Sequence, residues 1–555
     1  MIRKAAWLGS IAAAGLASAP VGADSMISAA DMPALAWCAQ PADAGGSDAK
    51  PPPTPPPQLV EGLGYAGIVP DTANAEARRW FEQGVRWVWA FDEEEGIRAF
   101  AEAQRLDPKC AMCWWGEAWA RSPTINLQQR SEEFAAAKAA TAKAAALAGK
   151  LGPAERALIG AMQVRTAGAK DFDGKAYARS ISAAATLFPR DDAIAVMAAD
   201  AEMQASDARK LPQGTAAQRR LEAVLARNPD HSGAIHFYIH LTDWIEQEKL
   251  AEPYASRLGA LAPGASHLVH MPSHTFFGVG RYGDAMRANL SAIAIDKAYA
   301  DKVRPPPSDY RAALGKHNTH FAIVSALSSG DAAASLKTAD YFRTLFPTDD
   351  VGGQFLRASI WFAYGRHAPL KDVLALPAPP EKAPVLRAMR HYARGEALAR
   401  SGDAKGVRAE AAAVARVAAT MQVPPASAPP AEAMVGIAAQ VLEGRAAMID
   451  GDFKAAETAF RAAMKLQKKA RFSSDPPTWW YPVRRSLAAA LIARGEHRSA
   501  RLQLLATLKH WPDDPLSLNL LAQAERGLGH AAEAQAADAL AARGWSGEAV
   551  PLSRA

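Results

Sequence analysis

The sequence predicts an all-α superhelix built from antiparallel helix pairs, and three observations carry the prediction. Amphipathic segments of roughly 12 to 17 residues follow one another from near Ala73, broken by Gly-containing turns and by pairs such as Asp107-Pro108 and Asn228-Pro229. No stretch reads convincingly as a strand. The histidine pair His236 and His240 returns 34 residues later as His270 and His274, the spacing of one helix-turn-helix repeat.

The chain divides in order. In residues 1–23, Arg3 and Lys4 precede an apolar run from Ala5 to about Ala17 and a small-residue exit at Val21-Gly22-Ala23, the pattern of a secretory signal peptide. The mature protein is therefore expected in a bacterial periplasm or secreted, with an uncleaved amino-terminal anchor as the alternative. Residues 24–72, with Pro51 to Pro57 at their centre, read as an extended linker without a core of its own. Residues 73–300 and 308–545 read as two repeat arrays separated by an insertion at Pro305 to Pro307, and 546–555 as a tail. No stretch after the leader reaches the roughly 18 apolar residues of a membrane span.

The repeat itself is legible residue by residue. A tetratricopeptide pattern wants small residues at positions 8, 20 and 27, glycine near 15 and an aromatic at 24, so that paired helices approach closely. Trp80, Gly84, Trp87, Phe100, Ala103 and Pro108 fit, as do Gly280, Tyr282 and Ala285, and Gly451, Phe453, Ala456, Phe460 and Ala463. Gly495, Ala500 and Pro512 follow, then Gly529 and Ala534, whereas the register is poor from Leu151 to Asp207.

Composition narrows the function classes. The 555 residues are 49% hydrophobic, and 63 basic against 57 acidic residues leave +6 with both signs mixed along the chain. Nothing in that balance asks for nucleic acid or an anionic membrane. Three cysteines are too few for a disulfide-built fold. No phosphate loop, dinucleotide fingerprint, nucleophile elbow or zincin motif occurs.

The histidines are the principal candidates. In such repeats the first helix of each pair lines a concave groove, with positions 2, 5, 9, 12 and 13 facing it. With Pro229 and Pro263 at position 32, His236, His270 and His320 fall at position 5, His240 and His274 at 9, and His267 and His317 at 2. His231 falls at the turn, where it is expected to be solvated. Neutral imidazoles on neighbouring helices can converge on a transition metal at about 2.0–2.1 Å. The expected metal ligands are His236, His240, His270, His274, His317 and His320, with copper, zinc or iron as the candidate ions. His267 and Asp243, the latter at position 12, are expected to face a ligand in the same groove. Pro272 should kink its helix and aim His270 and His274 differently from the first pair.

Other residues offer weaker chemistry. Cys110 and Cys113 have redox-dithiol spacing at a helix start, open to reading as a structural disulfide or a reactive pair. Trp115 and Trp119 fall at positions 5 and 9, as an aromatic groove wall or as packing. Tyr481 and Arg485 open another first helix, where a groove-facing Arg485 could hold a carboxylate or phosphate.

The strings CAMCWWGEAWARSPTIN (from Cys110), HLVHMPSH (from His267), KHNTHF (from Lys316) and WWYPVRR (from Trp479) resemble a family of large exported bacterial tetratricopeptide-repeat proteins. The resemblance covers most of the mature chain and implies the fold and export, but no particular reaction. Ser122-Pro123-Thr124-Ile125-Asn126 departs from the Gly-Pro-Asn-Ile-Asn string expected there. Two functions stay open: a metalloprotein whose groove performs metal-assisted hydrolysis or oxidation, and a scaffold whose groove binds a peptide, partner protein, small molecule or envelope component.

Overall fold

The computed structural model describes residues 55–127, 130–206, 214–345, 351–424, 427–470 and 476–555. The expected signal peptide and most of the expected linker lie outside the described residues. Helices follow one another and no strand occurs among the described residues. The chain is a tetratricopeptide-type α-solenoid.

The amino-terminal helices are α1 (Ala75–Trp89), α2 (Glu93–Leu106), α3 (Ala111–Ala120), α4 (Phe134–Leu147), α5 (Pro153–Arg165), α6 (Gly174–Leu187), α7 (Asp192–Ala205) and α8 (Ala216–Arg227). The central ones are α9 (Ser232–Trp244), α10 (Glu252–Leu261), α11 (Ser266–His270), α12 (Pro272–Gly278), α13 (Tyr282–Val303), α14 (Asp309–Ser329) and α15 (Ala332–Leu345). Then come α16 (Val351–His367), α17 (Leu370–Ala375), α18 (Pro384–Arg400), α19 (Ala404–Thr420), α20 (Ala428–Asp450), α21 (Phe453–Ala470), α22 (Arg484–Ala493), α23 (His497–Leu508), α24 (Pro515–Gly527) and α25 (Ala531–Gly544).

The pairs form for the reasons the repeat pattern implies. A Cβ on Gly84 would lie 2.7 Å from the Phe100 ring and one on Gly444 2.4 Å from the Phe460 ring. Position 8 must therefore be small wherever an aromatic fills position 24. Gly451 and Gly495, in the turns, take φ of 78° and 75°, a region that side-chain-bearing residues rarely enter. Side chains cap the helix starts: Asn74 accepts from the backbone of Glu76 and Ala77, and Asp191 from Ile194, each cap contributing about 1 kcal/mol. The region of poor register still forms α5, α6 and α7, because Leu158, Ile159, Met162, Ile181 and Ile194 are buried at helical spacing.

Two expectations need correction. Residues 55–72 are extended but not a coreless tether. Leu63, Ala66 and Ile68 are buried, Gln83 bonds the backbone of Gln58 and Val60, and the Trp89 indole donates to the Ala66 carbonyl at 3.0 Å. At the other end, residues 546–555 are anchored: Ser546 N donates to the Ser329 carbonyl, and the Ala555 oxygen accepts from Arg445 and Ser486. Apolar side chains spaced among prolines and glycines lack periodicity, which is why both segments read as loose.

The solenoid also curls onto its own middle. Arg311 at the start of α14 pairs with Asp92 and Glu95 of the first repeat, and Trp87 meets Tyr299 edge-on. From the carboxyl side, the Tyr282 hydroxyl donates to the Pro512 carbonyl and Trp511 packs on Phe277. The central helices are thus enclosed from both ends of the chain.

Candidate metal centre

Six of the seven histidines expected to line an open groove are buried, and His317 is half-buried. His236 and His270 are 0% exposed, and His240, His267, His274 and His320 are also buried. Phe321 of α14 packs against His270, His274 and His317, and the α1–α2 turn covers His236, His240 and His267. Phe91 lies with its ring centroid 4.3 Å from that of His236, 5.4 Å from His267 and 5.9 Å from His240. Phe91 holds this place at φ 57°, a strained conformation for an aromatic residue, costing of order 1–3 kcal/mol. His231 is likewise buried rather than solvated: it caps α9 by accepting from Ala234 N and packs against Tyr65 and Trp89.

Two triads emerge. His236, His240 and His267 form one, and His270, His274 and His317 the other; within each, the potential ligand nitrogens lie within 4.8 Å of one another. His236 Nε2 is 3.1 Å from His240 Nε2 and 3.0 Å from His267 Nε2, and His270 Nε2 is 2.9 Å from His274 Nε2. Imidazoles sharing a tetrahedral ion at about 2.0–2.1 Å stand about 3.4 Å apart, so these spacings need little adjustment. Pro272 divides the helix into α11 and α12, separating His270 from His274 by a break in the helix.

The tautomers are set from behind. His236 Nδ1 lies 2.7 Å from the Trp89 carbonyl, which can only accept, so Nδ1 carries the proton and Nε2 presents a lone pair. His270 Nδ1 lies 2.7 Å from Asn289 Oδ1, while Asn289 Nδ2 donates to the Ala285 carbonyl. Two of the three position-5 histidines, His236 and His270, therefore share one arrangement: N–H held outward, bare Nε2 turned toward the other imidazoles. Metal-ligating histidines are oriented in this way.

The triads adjoin. Ring centroids of His267 and His270 are 5.8 Å apart, and those of His240 and His274 6.0 Å apart. Burial pushes His236 and His317 down to about 3 and holds His240, His267 and His270 well below the usual histidine range, the neighbouring imidazoles adding to the effect. All are neutral at pH 7, the state that binds a metal. Asp243, expected to face a ligand, is half-buried, and its charge favours the protonated form of His274 against the larger effect of burial. His320 stands apart from both triads, its Nδ1 donating to the Leu356 carbonyl at 3.1 Å. His267, expected to face a bound ligand, completes the first triad, whereas His320 belongs to neither.

A small cavity of about 30 Å³ opens beside His267, lined by Asp92, Asp296, Tyr299, Tyr310 and Arg311 among others. It has room for a water or a similarly small molecule. Burial pushes Asp92 up to about 6 against the pull of Arg311, and Asp296 up to about 7. Both carboxyls can exchange protons near neutrality. None of these residues, nor Trp89, Phe91 and Asn289, was singled out in the sequence: Trp89, Phe91 and Asp92 come from a repeat far along the chain, and Asn289, Asp296 and Tyr299 lie on the next helix without a spacing that marks them.

The remaining candidates are committed elsewhere. Trp115 and Trp119 are buried and stack on each other, with Trp119 edge-on to Trp89, so they are core rather than a groove wall. Arg485 is buried and gives Nη1 to both oxygens of Asp514, at 3.0 and 3.2 Å, which leaves no open groove contact. Tyr481 is buried, with its hydroxyl 3.2 Å from Ser486 Oγ. Cys110 and Cys113 form a disulfide at the start of α3, with both residues 0% exposed. No helix among the described residues is long and apolar enough to cross a membrane.

No family model and no curated protein matches the chain. Among solved structures it is similar to the TPR domain of P58(IPK), at 14% identity over 66% of this chain and 95% of that one, with a TM-score of 0.20. It is also similar to human IFIT1, solved as a dimer with m7Gppp-AAAA, at 13% identity over 85% and 91% of the two chains, with a TM-score of 0.29. Naa15/Naa10 bound to HypK-THB is similar at 12% identity over 84% and 89%, with a TM-score of 0.23.

Proposed function

We propose that the two triads hold a pair of transition-metal ions and that the protein is a metal-dependent enzyme acting on a small molecule at that centre. The observation that carries this reading is the matched orientation of His236 and His270, each with its outer nitrogen held by a carbonyl oxygen and its Nε2 turned into a triad. Five buried imidazoles and one half-buried one, all neutral and in contact, are costly as packing, since they have been taken from water and crowd nitrogen against nitrogen at about 3 Å. A metal ion satisfies them together.

All-imidazole ligation favours copper, which stands highest among divalent ions for nitrogen ligands, with zinc and iron behind it. Three protein ligands per ion leave a coordination position for water or substrate, the arrangement of catalytic rather than structural sites. Such an ion would supply Lewis acidity for hydrolysis or, as copper or iron, a redox couple that passes electrons from the substrate to molecular oxygen. The chain's own part is to hold the imidazoles dry beneath Phe91 at one triad and against Phe321 at the other, to admit only small molecules beside His267, and to pass protons through Asp92 and Asp296. Burial of the histidines is what weighs against the peptide-binding scaffold.

Export to a periplasm and membership of the bacterial family carrying the HLVHMPSH string belong to the same proposal. The Cys110–Cys113 disulfide suits an oxidising compartment. The test is reconstitution of metal-free protein with copper, zinc or iron, followed by X-ray absorption at the metal edge. The reading expects about three nitrogen ligands near 2.0 Å, and oxygen uptake or ester hydrolysis that depends on the metal. A spectrum of oxygen-only ligation, or no retained ion, would remove it.

A further inference from the structure

Far from the histidines, a larger cavity of about 730 Å³ lies between the end of α16, the end of α18 and the carboxyl-terminal segment. That is the size of a small-molecule site. Its lining brings together Arg366, His367, Arg400 and Arg554, with Trp545 and Leu370 as apolar surface.

The charges there are not balanced. None of Arg366, Arg400 and Arg554 has a carboxylate within 4.0 Å among the described residues, whereas their neighbours Arg445 and Arg485 are paired with Glu396 and Asp514. Arg366 is only 8% exposed. Its Nη1 donates to the Arg554 carbonyl at 3.0 Å, but its Nη2 has no partner, nor does His367 Nε2. Arg400 spends one nitrogen on the Gly365 carbonyl at 2.7 Å and another on that of Ala368. The two acids on the wall do not answer this need: Asp331 caps α15 through Ala334 N, and Glu548 is exposed. Burial first, then Arg485, Arg445 and Arg554, lower Arg366 to about 9 against the opposing pull of Glu396. The same field acts on His367, which burial and Arg366, Arg400 and Arg554 lower to about 3.

A buried guanidinium with one nitrogen unpartnered and like-charged neighbours is costly unless an anion completes it. We propose that this cavity binds a small organic anion, with a phosphate or carboxylate group held by Arg366, Arg400 and Arg554 and an apolar body against Trp545. The site is independent of the metal centre and stands or falls without it.

Calorimetric titration of the full chain with phenyl phosphate and, separately, with benzoate tests the proposal and distinguishes the two anionic groups. Saturable binding of at least one probe is expected, at one per chain. Arg366→Gln and Arg400→Gln should each weaken it about tenfold or more, Arg366→Lys less, and the double variant His270→Ala/His274→Ala not at all. Arg400 is the fallback if Arg366→Gln fails to fold, since it is only half-buried. Failure of both probes to saturate at about 10 mM, which corresponds to less than about 3 kcal/mol of binding, would overturn the proposal. So would unchanged affinity in the arginine variants.

Discussion

Position 5 of the repeat's first helix holds His270 in the central region and Arg485 near the carboxyl end, and the two side chains have opposite fates. Both are buried. Arg485 meets a full counter-charge in Asp514, so its charge is answered in holding α22 to α24, although its Nε keeps no partner. His270 meets a neutral acceptor, Asn289, on its outer nitrogen only, and its Nε2 faces His274. Repeat position therefore decides where a side chain points, and the partner behind it decides whether any chemistry is left over.

The sharpest way to break that contrast is Arg485→Ala. It strands the Asp514 carboxylate inside the protein and should cost about 3–5 kcal/mol in urea unfolding, without changing metal content. A loss below about 1 kcal/mol, the range of an exposed pair, would mean that the pair is not the compensated lock described.

Asn289→Leu takes the acceptor away from His270 instead. Metal affinity should fall about 10- to 100-fold in competition with a chelator, while the helical content seen by circular dichroism holds. An unchanged affinity would show that His270 needs no orienting partner.

Acid provides a third contrast. Burial lowers His231 and His320 to about 4 from the ordinary 6.5. Above pH 6.5 neither the folded nor the unfolded chain protonates them, so nothing is lost. Between 6.5 and about 4 the unfolded chain binds the protons and the folded chain does not. Stability of the metal-free protein should thus fall with decreasing pH, by up to about 1.4 kcal/mol per pH unit for each such histidine. His231→Asn should reduce that slope by about one proton, read from urea unfolding at pH 7 and pH 5. An equal slope in the variant would contradict the burial argument. The smallest effect belongs to Arg408→Ala, which removes the exposed pair with Asp450 and should change stability by less than about 1 kcal/mol.

The fold was legible because the repeat is local. Gly84 with Phe100 and Gly444 with Phe460 are short-range pairs whose spacing in the chain states their contact. The histidine column was legible for the same reason, down to Pro272 dividing the helix. What lies across the groove was not. Phe91 and Trp89 reach the triads from α1 and the α1–α2 turn, about 145 residues before His236, and no period links them. That is why an open groove was expected where a buried histidine cluster exists, and why His267 rather than His320 joins a triad. Likewise, Arg485 reads in sequence as a groove cation until Asp514, 29 residues on, is seen to face it.

The account's central claim is that each triad holds one ion, and metal content per chain tests it most directly. Plasma emission analysis should give two ions for the wild-type protein after reconstitution. It should give one for His240→Ala/His267→Ala, one for His274→Ala/His317→Ala, and none when all four changes are combined. Wild-type protein that retains no metal, or triad variants that retain the full amount, would contradict it.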